Sequence, residues 1–186
     1  MKSTFTLLAF LISAVFVHAQ VAITPKVVVV DIELVLKNYT KLQAAQTKLE
    51  SSKKNAQQEI EILKDEGRKL VEKARELEAR TKNPALSPTA VTQAKDELAK
   101  LTVDIKAKEQ ELLEYVKRTD ATLKQRFKSM LELHMGEIRD MVAVIAKENG
   151  ADIALNKSLK DFVLYSAEYF NVTQAVLGRL NSVSNK

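Results

Sequence analysis

From Thr40 to Lys82 apolar residues recur in step with a helix. Leu42, Leu49, Ala56, Leu63, Leu70 and Leu77 form a column spaced by seven, the repeat of a coiled-coil seam. The companion column is weaker: Ala45 and Ser52, then a change of phase to Ile60, Gly67 and Ala74, which loosens a strict coiled coil. Such a helix spans about 65 Å at 1.5 Å per residue. A second periodic stretch runs from about Thr89 to Glu148. Val91, Leu98, Ile105 and Leu112 make one column; Ala94, Leu101, Lys108 and Tyr115 make the other. Towards its end the apolar positions crowd together, with Leu123, Phe127, Leu131, Ile138, Met141, Val142 and Ile145, as in a helix packed into a core. Between the two lies Asn83-Pro84-Ala85-Leu86-Ser87-Pro88. Asn83 is biased out of the helical region by Pro84. Ser87 suits an N-cap with Pro88 at the first helical position. So short a connection makes the two helices antiparallel, and Asn149-Gly150 stops the second.

The flanks change period. Val27, Val28, Val29 and Val30 are a β-branched run, a strand buried on both faces. Asp31 suits an N-cap for a short helix, Ile32 to Asn38. After Gly150, Asp152 to Leu155 and Phe162 to Tyr165 are two apolar segments joined by the polar 156–161, which reads as a β-hairpin. Val172, Val176 and Leu180, four apart, give a closing amphipathic helix from Tyr169 to Leu180. The expected fold is mainly α with a small β part: a long antiparallel coiled-coil hairpin, or arm, on a small β body. By residue, 1–19 are a leader, 20–39 the first strand and short helix, 40–149 the arm with its turn at 83–88, 150–181 the hairpin and closing helix, and 182–186 a flexible tail.

A body of about three short strands has exposed edges, which pair with other chains, and cores this small commonly need oligomerisation. A homo-oligomer is therefore expected, with Val27–Val30, Ile153, Leu155, Phe162, Val163 and Leu164 completing a shared sheet or barrel. The arm seam is assigned to Leu42, Leu49, Leu63, Leu70, Leu77, Val91, Leu98, Leu101, Ile105 and Leu112.

Composition narrows the class. Four Gly and three Pro in 186 residues exclude a loop-rich β-sandwich and a collagen-like or Gly/Pro-rich disordered chain. Charged residues at 28% against 5% aromatic favour long solvated helices. The absence of cysteine excludes disulfides, thiolate zinc sites and thiol catalysis. Lys2, the apolar stretch Phe5–Val17 and the end Val17-His18-Ala19 make a secretory signal peptide cleaved between Ala19 and Gln20. The expected location is the periplasm. The net charge of +5 is modest and does not demand a nucleic-acid ligand.

Candidate chemistry is sparse. His18 and His134 are the histidines, too few for a transition-metal site without cysteine. Carboxylates such as Glu59, Glu61, Asp65 and Glu66 alternate with Lys64, Arg68 and Lys69, the spacing of solvated i,i+4 pairs. There is no Gly-rich phosphate loop and no GxSxG elbow. The chain is expected to be no enzyme, with no cofactor and no metal. Near the turn, Arg68, Lys69, Lys73, Arg75, Arg80 and Lys82 outnumber Glu72, Glu76 and Glu78. This basic arm tip is a candidate contact for anionic lipid or lipopolysaccharide. No aromatic interleaves the cations, which argues against single-stranded nucleic acid. Gly67 lies mid-helix, where glycine costs about 1 kcal/mol relative to alanine, and is the candidate hinge.

Val27-Val-Val-Val-Asp31-Ile-Glu-Leu-Val-Leu36 and Gly150-Ala-Asp-Ile-Ala-Leu155, with Phe162-Val-Leu-Tyr165 and Val172-Thr-Gln-Ala-Val-Leu177, bracket the charged hairpin. In this arrangement the chain resembles the Skp/OmpH family of periplasmic chaperones over about residues 25–181. The resemblance implies a homotrimer in which the β segments form a central barrel and three arms enclose a cavity. It implies an ATP-independent holdase that binds unfolded outer-membrane proteins. The rival reading from the residues is a structural or adaptor coiled coil of the cell envelope.

Overall fold

The computed structural model describes residues 24–184; the expected cleavage pair Ala19–Gln20 and the end of the expected tail lie outside them. Strand β1, Val27–Val30, leads into helix α1, Ile32–Asn38. The Asp31 side chain caps α1 by accepting from the backbone N–H of Leu34 at 2.9 Å, which satisfies one of the orphan donors of the first turn. A single extended residue, Tyr39, separates α1 from helix α2, Thr40–Thr81. Helix α3, Pro88–Glu148, returns antiparallel along α2. Ser87 caps it, accepting from Ala90 N–H at 3.3 Å, with Pro88 in the first turn. At its far end Gly150 adopts φ 63°. There Gly150 N–H donates to Lys147 O and Ala151 N–H to Ala146 O, both at 2.9 Å, a Schellman closure that a residue with a Cβ adopts only under strain.

Strand β2, Ile153–Asn156, then pairs parallel with β1, in register from Val27↔Ile153 to Val30↔Asn156. Parallel neighbours cannot be joined by a tight turn; here the whole arm is the crossover. The opposite side of β1 receives Val172 N–H on Val29 O at 2.9 Å, and a bridge joins Val29 to Asn171. A 3-10 turn, Glu168–Phe170, precedes helix α4, Thr173–Ser184. Tyr169 thus belongs to the turn, and residues 182–184, expected in the tail, belong to the helix.

The expected hairpin is corrected. Phe162, Val163, Leu164 and Tyr165 form no strand in the single chain, and β2 turns to β1 instead. The connector explains the difference. Asn156 Oδ1 accepts from Ser158 N–H at 2.9 Å. The Ser158 hydroxyl donates to Asp31 Oδ1 at 2.6 Å and accepts from Glu33 N–H at 2.9 Å. These bonds hold the connector against the start of α1, so the chain leaves β2 without folding back on it. Asp161 follows at φ 63°, a left-handed conformation that aspartate tolerates better than most residues.

The core sits at the root of the arm. Val28, Val30, Val35, Tyr39, Leu42, Ile138, Val142, Ile145, Ala146, Val172, Val176 and Leu180 are buried together. The four-residue spacing of Val172, Val176 and Leu180 places all three on the inward stripe of α4 and its approach. Each fully buried aliphatic side chain contributes about 1.5–3 kcal/mol relative to exposure. A second, smaller cluster, Leu77, Ala94 and Leu101, with Leu70, Ala74, Leu98 and Ile105 against it, lies near the arm turn. Between Leu101 and His134, α3 buries no residue.

Candidate functional site

Two surfaces stand out. The first is the free side of the body. A hollow of about 350 Å³ opens over the sheet, lined by Val27, Val29, Leu155, Val163, Tyr165 and Tyr169 among others. Beside it, Phe162, Leu164, Tyr165 and Tyr169 are 63%, 87%, 86% and 81% exposed. So dense a set of exposed large apolar residues marks an interaction surface. The residues assigned from sequence to oligomerisation divide here. Val28 and Val30 are consumed by the chain's own core, Val29 is buried on the opposite face beneath the hollow, and Val27, Leu155 and Val163 are half-buried. Ile153, Phe162 and Leu164 remain exposed. Tyr165 and Tyr169 were missed as site residues. Their signal was present: two aromatics within five positions, in a chain with only 5% aromatic residues.

The second surface is the flank of the arm. Of the assigned seam, Leu42, Leu63, Leu77 and Leu101 are buried, and Leu49, Leu70, Val91, Leu98, Ile105 and Leu112 are half-buried. The seam thins where Lys108 occupies an inward position of α3. Its Nζ turns out to Glu66 at 3.0 Å and Glu111 at 2.7 Å, and these bonds raise its pKa, Glu111 first. Gly67 lies opposite: a Cβ built there would meet Lys108 Cγ at 3.8 Å. Helix α2 runs unbroken through Gly67, so the candidate hinge is a place where two helices approach over a lysine stem. A groove of about 320 Å³ opens there, floored by Leu63, Val71, Ile105 and Leu112.

Nearer the body a larger groove, about 440 Å³, is floored by Leu49, Leu123, Phe127 and Met130 and rimmed by Glu50, Lys53, Asp120 and Lys124. Phe127 is 49% exposed. Sequence reasoning placed Leu123 and Phe127 in a core. The four-residue step between them is present, but α2 offers only Leu49 and polar neighbours opposite. Single apolar side chains, Ile62, Val103, Leu113, Val116 and Leu133, are scattered over the rest of the arm among charges.

The basic tip is partly neutralised. Arg68 and Lys69 share Asp65 at 2.9 and 2.8 Å, and Lys82 reaches Glu78 at 2.6 Å. Lys69 chiefly, then Arg68, lowers the pKa of Asp65; Lys82 lowers that of Glu78. Pairs this exposed are worth little. Lys73, Arg75 and Arg80 form no ion pair among the described residues and carry the tip's remaining positive charge. No helix among the described residues is long and apolar enough to cross a membrane.

No curated protein matches the chain. Among solved structures it is similar to a crystal structure described as an outer membrane chaperone (OmpH-like) from Caulobacter crescentus CB15, with a TM-score of 0.54 and 16% identity over 86% of each chain. At that identity the likeness is one of fold. The model of the family described as outer membrane protein (OmpH-like) matches residues 26–180. Because that match runs from β1 through the whole arm to the end of the α4 core stripe, the chain belongs to the OmpH-like family.

Proposed function

We propose that this chain is an ATP-independent holdase that binds unfolded outer-membrane proteins and keeps them from aggregating. The observation that carries the reading is the pairing of family membership with an arm whose flanks offer shallow apolar grooves inside charged rims. Unfolded barrel strands alternate apolar and polar residues. Grooves floored by leucine and phenylalanine take the apolar side chains, and the rims keep the polar ones wet. Each contact is weak, so a client stays mobile while its strand edges are shielded.

The working unit is a homotrimer. Three copies bring the exposed aromatic segments and free β2 edges together as a barrel, and the three arms enclose a cavity. The location is the periplasm, reached by cleavage between Ala19 and Gln20. Lys73, Arg75 and Arg80 contact anionic lipid or lipopolysaccharide at the arm tips. No catalytic step, cofactor or nucleic acid enters the mechanism.

The test is an aggregation assay. A urea-denatured outer-membrane barrel protein is diluted with and without the chain, and light scattering is followed. Scattering is expected to be suppressed at one trimer per client without nucleotide. Undiminished scattering at that ratio refutes the holdase reading.

A further inference from the structure

The holdase reading makes no use of one group of residues at the arm root. His134 is 6% exposed in α3. Its Nδ1 lies 2.7 Å from Glu137 Oε2, one turn on. The same carboxylate oxygen accepts from the Tyr39 hydroxyl at 2.8 Å, and Oε1 takes Lys41 Nζ at 3.2 Å. The rings of Tyr39 and His134 meet edge to face, centroids 5.6 Å apart. Three donors from three places therefore converge on one carboxylate: the α1–α2 corner, the first turn of α2, and α3. Around it, Asp140 is the further titratable group in the adjoining hollow, where α4 contributes Leu180 and Val183. The buried Val35 is the contribution of α1 to this core.

An ionised carboxylate only accepts, so the imidazole must present its proton on Nδ1. Once the carboxylate takes a proton it becomes a donor itself and can no longer receive all three.

We propose that Glu137 is an acid-released latch at the arm root: braced by His134 on its own helix, it draws Tyr39 and Lys41 of the α1–α2 corner onto α3 and lets them go when its carboxylate gains a proton. Burial raises the Glu137 pKa, but the bonds from His134, Tyr39 and Lys41 outweigh it and hold the group below the ordinary 4.5. With the folded value depressed, the stabilisation is present above pH 4.5 and is lost as pH falls through the lowered value. The inference concerns the arm root whatever the arm binds.

The test is the melting midpoint of the full chain between pH 8 and 3, compared with Glu137→Gln. The parent's advantage is expected to be about 2–4 °C, steady from pH 8 to 5, and to collapse as pH falls below 4.5. An offset that stays constant down to pH 3 overturns the proposal. Tyr39→Phe keeps the ring and removes one donor, and serves if the glutamine variant does not fold. Its acid transition should begin at higher pH than the parent's, and an unmoved transition also overturns the latch.

Discussion

Asp31 shows how one side chain fixes a junction. Its Oδ1 accepts from Leu34 N–H and from the Ser158 hydroxyl, tying the start of α1 to the connector after β2. The Ser158 hydroxyl chiefly, then Leu34 N–H, holds its carboxyl below the ordinary 3.8. Asp31→Ala is therefore expected to cost about 1 kcal/mol at pH 7. Because the folded pKa is depressed, that difference should shrink as pH falls below 3.8; urea unfolding at pH 7 and pH 3 measures both. Ile138, fully buried at the root, should cost about 2–5 kcal/mol as Ile138→Ala in the same experiment. Asp31 was legible in the sequence because it directly follows four valines. Val172, Val176 and Leu180 were legible from their spacing. Glu137 was not: it is one of 24 acids, and its Tyr39 partner lies 98 positions away. No local pattern marks a carboxylate that receives donors from so far along the chain.

At the scale of elements, helix ends were readable because their signals are local. Ser87-Pro88 and Asn149-Gly150 mark the limits of α3 through backbone geometry that a few neighbouring residues decide. Strand pairing was not readable in this way. Phe162 to Tyr165 has the composition of a strand, but which edge it meets depends on where Ser158 and Asn156 hydrogen-bond. The seam was readable in its repeat and less so in its depth, since Lys108 and Gly67 face each other midway. Gly67→Ala should be accommodated there, because the added Cβ makes an ordinary contact at 3.8 Å. It should stabilise the arm by about 0.5–1 kcal/mol, seen as slower amide hydrogen exchange along α2. If bending at Gly67 is needed to enclose large clients, the same variant should protect small clients normally and large ones poorly. Equal protection of both would remove Gly67 as a hinge.

At the scale of the molecule, the body carries an apolar face that the described residues leave open: in the segment 162–169, Phe162, Leu164, Tyr165 and Tyr169 are largely exposed. Leu164→Glu places a charge on its most exposed apolar residue and should leave the single-chain core intact. Analytical ultracentrifugation is expected to report about three chain masses for the parent and one for the variant; an unchanged mass would remove this segment from the interface. The parallel pairing of Val27 with Ile153 has a further consequence, for the order of folding. The two strands of the sheet enter at opposite ends of the chain, so their contact order is high, and such contacts form late. A chain threaded through an export pore from its N-terminus delivers the valine run first and its partner strand last. The hairpin turn can nucleate and zip while the valines wait unpaired, exposed to the same kind of strand-to-strand aggregation that a holdase prevents in its clients. This protein is thus, for the duration of its own synthesis and proposed export, in the position of the molecules it is proposed to protect.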